Sequence, residues 1–287
     1  MRELTLDTPS TLPRMSILNY GDTRTGKTTF GGSFPRVLVI ADTTENGWKS
    51  VFTMGEGNWF EPDVPPIVWG IDQMNDLVHM YQKMDPLIAS GRVCTILFDA
   101  FSFYCDFFLA AIIRMQSKLD QRAAYGDLGR HLREVRVQLQ QRGATVVYNC
   151  LAKHPDQDDP KGRPLIPGQQ ADKFAAGVDM LLYSRIEVVN KQERREIRTR
   201  QYGGYIAGHR EGINADRLPD PFVGRYADLV THLGYDPDAI RASLPKINNA
   251  KSVAVPAGAK PATTAPKPTT PKVVTITRPQ APQGASK

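Results

Sequence analysis

Gly21-Asp22-Thr23-Arg24-Thr25-Gly26-Lys27-Thr28 sets two glycines, a lysine and a threonine at the spacing of a phosphate-binding loop. Glycines let backbone N–H groups turn inward around an anion, so the loop becomes a nest of donors at a positive helix end. Lys27 can reach the β and γ phosphates of a nucleotide, and the Thr28 hydroxyl can hold Mg²⁺. These eight residues and Thr29 are the candidate binding set for ATP. A second metal-supporting group is Asp99, which closes the apolar run Val93-Cys94-Thr95-Ile96-Leu97-Phe98. A carboxylate at the C-terminal end of such a strand stands beside the loop in folds of this kind. Ala100 follows it, so the base that activates water must come from elsewhere. Glu45, just past the second strand, is the preferred candidate, with Asp42 as the alternative; either needs only to be ionised and well oriented.

Those groups need a sheet to hold them. Met15 to Tyr20, Val37 to Ala41, Val93 to Phe98, Ala144 to Leu151 and Val178 to Val189 are apolar runs of strand length, and Pro66 to Trp69 is a short extra one. Between them, Met74 to Ile88, Phe103 to Leu119 and Leu128 to Leu139 carry apolar residues at helical spacing. Pro86 should kink the first of these helices or end it early. Strands alternating with helices specify an α/β fold, a mainly parallel sheet with helices on both faces. Beyond the fifth long strand, Asn190-Lys191 turns into the polar strand Glu193 to Tyr202, a C-terminal β-hairpin, and Tyr226 to Leu233 suggests a closing helix. Residues 152–170 show neither helical nor strand period and read as a long loop, functional or mobile.

The chain has 287 residues with 36 Lys and Arg against 30 Asp and Glu. Six of those cations lie in residues 250–287 with seven prolines and no acid, so the first 249 residues are formally neutral. The expected organisation is therefore one ATPase domain over 1–249, with a core at about 14–235, and a disordered Pro/Ala/Lys-rich tail over 250–287. Cys94, Cys105 and Cys150 have no metal-like spacing and read as reduced core residues of a cytoplasmic protein. The longest apolar run, Phe107 to Ile113, is too short to span a bilayer, so no membrane partner is expected.

Taken as an ordered set, the loop Gly21 to Thr28, Asp42-Thr43-Thr44-Glu45-Asn46-Gly47, Asp99, Tyr125-Gly126-Asp127-Leu128, Ala152-Lys153-His154 and Val178-Asp179 resemble phage-encoded, RecA-like P-loop ATPases of the single-strand annealing (Sak-type) recombination group. That resemblance covers roughly residues 14–235. It implies a RecA-like core, Mg²⁺-ATP, a glutamate after the second strand as water activator, and assembly into a ring or filament on single-stranded DNA, with a single-strand-binding protein as a further partner. It maps γ-phosphate sensing onto Asn149 to His154, with Lys153 and His154 preferred, and DNA-binding loops onto 155–170 and onto Met115 to Gly126, which carries Lys118 and Arg122. In Ala207-Gly208-His209-Arg210 it implies that Arg210 is the finger offered to ATP on a neighbouring subunit.

Lys191, Arg194, Arg195, Arg198 and Arg200 crowd one hairpin beside Tyr202 and Tyr205, the combination of cations and rings that single strands need; a solvated strand edge is the plainer reading. The favoured function is DNA-stimulated ATP hydrolysis in phage-type recombination or strand annealing. Other readings are another P-loop motor or switch (helicase, helicase loader, packaging ATPase), a small-molecule phosphotransferase, and a nucleotide-binding regulator without turnover.

Overall fold

The computed structural model describes residues 12–42, 46–55, 58–71, 74–115, 121–157, 159–210 and 217–247, giving only the backbone for 74–79, 115 and 121. Contacts divide the chain into units 1–247 and 248–287, and every described residue belongs to the first.

Six parallel strands carry the architecture: β1 (Ser16–Gly21), β2 (Val37–Asp42), β3 (Ile67–Ile71), β4 (Thr95–Asp99), β5 (Thr145–Cys150) and β8 (Met180–Val189). They lie in the order β3-β2-β4-β5-β1-β8. The outer edge of β8 is closed by two antiparallel strands, β10 (Gly208–His209) at its start and β9 (Gln192–Arg198) along its remainder. This is the parallel α/β sheet with a C-terminal hairpin that the alternation of apolar runs implies. Asn190 and Lys191 both take positive φ, 52° and 64°, the backbone of a two-residue hairpin turn whose twist matches its strands.

Period-2 alternation sends β1 side chains to two cores. Leu18 and Tyr20 join one with α3 (Met74–Ala89), α4 (Phe101–Met115), α5 (Gln121–Gln141) and α6 (Gln170–Ala175). Ile17 joins the other, with α1 (Lys27–Gly32), α2 (Ser50–Thr53), α7 (Tyr226–His232) and α8 (Pro237–Ser243). Fully burying a side chain such as Leu97 or Val147 contributes about 1.5–3 kcal/mol, which is why these runs are apolar on both sides.

Three local expectations are corrected. Helix α3 does not end early but runs through Pro86 to Ala89, and Ser90 N donates to Pro86 O at 3.0 Å. Proline there sits in the last turn, so only one upstream hydrogen bond is given up. Residues 152–170 are a loop only in part: β6 (Ala152–Lys153) pairs antiparallel with β7 (Arg163–Pro164), and α6 starts at Gln170. Two-residue strands have no period to read. Tyr20 Oη donates to Gly162 O (3.2 Å) and Ile206 O (2.6 Å), and Ser102 Oγ donates to Leu165 O (2.8 Å), so this segment is tied to β1 and α4. Finally, Gln121 to Gly126, expected within a DNA loop, forms the start of α5, with Arg122 in its first turn; Lys118 lies outside the described residues.

Candidate active site

Strand β1 ends at Gly21, and the chain turns through Asp22 to Gly26 into α1. Side-chain space is absent at Gly21: a Cβ built there would lie 2.0 Å from Ser184 O on β8. Gly26 has φ +92°, a left-handed backbone that admits glycine at no steric cost. Lys27 is buried, and its ammonium folds back to donate to the carbonyls of Gly21 (2.9 Å) and Asp22 (2.6 Å). Thr25 Oγ1 donates to Asp22 O at 2.9 Å, closing the loop on itself.

Beside it, Asp99 ends β4 on the same rim of the sheet. Thr28 Oγ1 donates to both of its carboxylate oxygens, at 2.9 and 3.0 Å, and Asn149 Nδ2 donates to Oδ1 at 2.9 Å. Strand register explains the second contact, since Asn149 on β5 is the direct partner of Asp99 on β4. Burial pushes the Asp99 carboxyl above the usual carboxylate range, while the bonds from Asn149 and Thr28 and the nearby Lys27 pull it back. Asn19 stands at the same register on β1, buried, and accepts from Ser184 Oγ at 2.7 Å, so a polar row crosses four strands beneath the loop.

The loop and Asp99 open on a cleft of about 850 Å³. Thr23, Arg24, Gly26, Lys27, Thr28 and Thr29 line it from the loop side. Asp42 ends β2 on the same rim, one residue past Ala41, the partner of Asp99. Glu45 lies outside the described residues with Thr43 and Thr44; the next residues, Asn46 and Gly47, line the cleft, and a Cβ built on Gly47 would be 3.6 Å from Asp99 Oδ2.

The other expected site residues are placed differently. Lys153 donates to Asp159 at 2.8 Å, with Asp156 at 3.9 Å, and the Lys153 bond holds the Asp159 carboxyl below its ordinary range. His154 Nε2 donates to Asp22 Oδ1 at 2.9 Å while Nδ1 meets Tyr205 Oη at 2.7 Å, so the residue that follows β6 is bonded to the phosphate loop. Arg210 follows β10 at the opposite rim, where Nη2 donates to Ala176 O at 2.7 Å and Nη1 stands 4.0 Å from Asp179. Asn149, weighed in sequence only as the first residue of a segment, is the one that touches Asp99. Its signal was a lone amide closing an apolar strand.

A hydroxyl and a carboxylate in contact, with no group of three or more His, Cys, Asp or Glu gathered among the described residues, suit a hard cation that keeps most of its waters rather than a soft metal. The three cysteines are unpaired thiols, and burial raises Cys94 to about 11 and Cys150 to about 12, so neither acts as a thiolate.

Much of the hairpin's charge, and both nearby rings, have partners within the chain. Arg194 and Arg185 each bind the buried Glu196 at 2.9 Å, Arg185 also pairs with Glu187, and Arg198 lies 3.8 Å from Glu196. Arg185 and Arg198 both lie over the Tyr202 ring, at 4.2 and 3.7 Å, and Tyr205 stacks on Tyr183 at 4.1 Å. Three of the hairpin's arginines are thus engaged with one glutamate, and both tyrosine rings already carry an internal partner.

The sequence profile of the AAA domain matches residues 14–211, from the approach to β1 to just past β10. The chain belongs to the AAA domain family. No curated protein matches the sequence. Membership makes the chain a P-loop ATPase, and the loop Gly21 to Thr28 and Asp99 lie together on one rim of its sheet. No described helix of this AAA domain is long and apolar enough to cross a membrane.

Proposed function

We propose that this chain hydrolyses Mg²⁺-ATP and couples the turnover to single-stranded DNA, as a RecA-like protein of phage-type recombination or strand annealing that assembles into rings or filaments. The observation that carries the reading is the connection of the two ends of the apparatus. Thr28, Asp99 and Asn149 form one hydrogen-bonded set, and the Asp22–His154 bond joins that loop to the segment mapped as DNA-binding.

In this reading Thr28 Oγ1 and Asp99 would hold Mg²⁺, whose positive charge would offset that of the β and γ phosphates when bound. Lys27 leaves its own loop's carbonyls for those oxygens, exchanging neutral acceptors for an anion. Asn149 keeps the Asp99 carboxylate oriented. Glu45 accepts a proton from the attacking water, and Glu45→Gln is expected to bind ATP yet turn it over about 10²-fold more slowly. His154 and Asp22 are both more than half exposed, so their pair contributes little stability and can break as the loop closes on phosphate. Lys161, Arg200 and Lys191, exposed on the segment and hairpin, supply phosphate contacts to the strand.

ATP turnover titrated with single-stranded and duplex DNA at two salt concentrations tests the proposal. Stimulation by single strands that weakens with salt is expected, since phosphate contacts release counterions. Equal turnover with and without DNA at low salt would exclude the DNA reading and leave a P-loop ATPase of another kind.

A further inference from the structure

Strand β9 divides its arginines by face. Side chains alternate, so Arg194, Glu196 and Arg198 point to one side and Arg195 and Ile197 to the other. Ile197 is buried in the core beneath α1, and Arg195 therefore continues that same face outward, over the phosphate loop. A Cβ built on Gly26 would stand 3.1 Å from Arg195 Cδ and 4.0 Å from its Nε. Arg195 lines the cleft together with Lys27, Thr28 and Asp99. The contrast with its neighbours is chemical as well as geometric: Arg185, Arg194 and Arg198 surround Glu196, whereas Arg195 has no ion pair among the described residues. Across the cleft rim, Arg225 approaches from the start of α7, its main-chain N–H bonded to Asp228 at 2.8 Å and its successor Tyr226 bonded through N–H to Ser33 at the end of α1.

We infer that Arg195 is a nucleotide-phosphate ligand supplied in cis by the hairpin, with Arg225 as a second cation on the same cleft. The inference rests on the ATP-binding part of the reading above. A triphosphate brings more negative charge than Lys27 and one Mg²⁺ offset, and a guanidinium whose stem already lies against Gly26 reaches its oxygens with little loss of side-chain freedom. The hairpin thereby contributes a cation to the cleft beside Gly26. Its two faces have separate work: that of Glu196 is an internal ion network that stiffens the strand, and that of Arg195 reads the phosphates.

The test uses the full chain and a fluorescent ATP analogue with Mg²⁺, comparing wild type with Arg195→Ala, Arg195→Lys, Arg194→Ala and Lys27→Ala, with a melting curve for each. Arg195→Ala should weaken binding about tenfold or more, as loss of a charged hydrogen-bonding group does. Arg195→Lys should fall between it and wild type, because the charge stays and the planar fork is lost. Arg194→Ala should leave affinity within about twofold, its charge being matched internally. If Lys27→Ala abolishes binding while Arg195→Ala and Arg195→Lys both bind as wild type does, Arg195 is not a phosphate ligand and the inference falls, with the ATPase reading intact. Loss of single-stranded DNA affinity alone in Arg195→Ala would overturn it equally. Wild type failing to bind the analogue would instead remove the reading beneath it.

Discussion

The two rims of the parallel sheet hold similar side chains in different states. At the N-terminal rim Asp179 accepts from Ser16 N and Ser16 Oγ, both at 2.8 Å, Ser16 Oγ accepts from Gln140 at 3.2 Å, and Arg210 binds the Ala176 carbonyl. Those bonds join the start of β1 to the start of β8, and each acceptor has a donor from a distant part of the chain. At the C-terminal rim Asp99 is held by a hydroxyl and an amide, and the Lys27 ammonium donates to carbonyls of its own turn. Internal matching stabilises a fold; a carboxylate and an ammonium brought together at the wall of an open cleft are placed to exchange bonds for a ligand. The rims therefore differ in what their mutation should change, affinity on one side and stability on the other.

Lys27→Ala should have the largest effect, lowering kcat/KM for ATP by about 10²-fold or more, the range for removing a donor aimed at developing charge. Steady-state turnover checks it, and a loss below tenfold would mean that the C-terminal rim is not the phosphate site. Asp99→Asn comes next. It should remove the rise in melting temperature that Mg²⁺-ATP gives the wild type while leaving the fold intact. The sign for the ligand-free protein follows from the raised carboxyl: the folded state holds the proton more tightly than the unfolded state does. Its contribution to stability is full below the unfolded value and is lost as pH rises through the folded one. At neutral pH the neutral amide should thus melt no lower than the wild type, and Mg²⁺ binding to the wild type should weaken as pH falls toward that raised value. Calorimetric melts at several pH values, with and without Mg²⁺-ATP, measure both.

Asp179→Ala should do the reverse. Removing the acceptor leaves the Ser16 N–H and hydroxyl short of a partner at a partly buried position, a cost of about 1–3 kcal/mol. Nucleotide affinity should stay within about twofold, since no atom of this group lines the cleft. Denaturant melts alongside nucleotide titrations would separate the two quantities.

How much of this could be read from residues alone follows the length of the signal. Runs such as Val37 to Ala41 and Ile96 to Phe98 are buried on both faces, so their apolarity announces a parallel sheet, and Gly21 to Thr28 states its chemistry through spacing. The Thr28–Asp99 contact was legible for the same reason, a carboxylate at the end of such a run. The resemblance assigns Lys153 to phosphate sensing, and the acid that holds its ammonium, Asp159, is not legible beside it: it is six positions on in a segment whose folding depends on Tyr20 and Ser102 far away. Sequence alone groups Arg195 with its basic neighbours, because a count of charges ignores the face each one takes. Only the pairing of β9 with β8, Arg195 opposite Ile186 and Glu196 opposite Arg185, separates the cleft-facing arginine from the network.

Arg210→Ala has the smallest expected effect on the isolated chain and the sharpest bearing on the comparison. The side chain is 54% exposed, its carboxylate contact is long, and one carbonyl bond is lost, so stability should fall by no more than about 1 kcal/mol. Placed at the rim opposite Lys27, it should leave ATP affinity of dilute protein within about twofold. If it serves a neighbouring subunit's nucleotide, turnover per chain should rise with protein concentration in the wild type and stay flat in the variant. A concentration series of ATP turnover distinguishes the cases: a flat line for both proteins would confine Arg210 to the Asp179 cluster, and an affinity loss in dilute variant would show that the two rims are not independent.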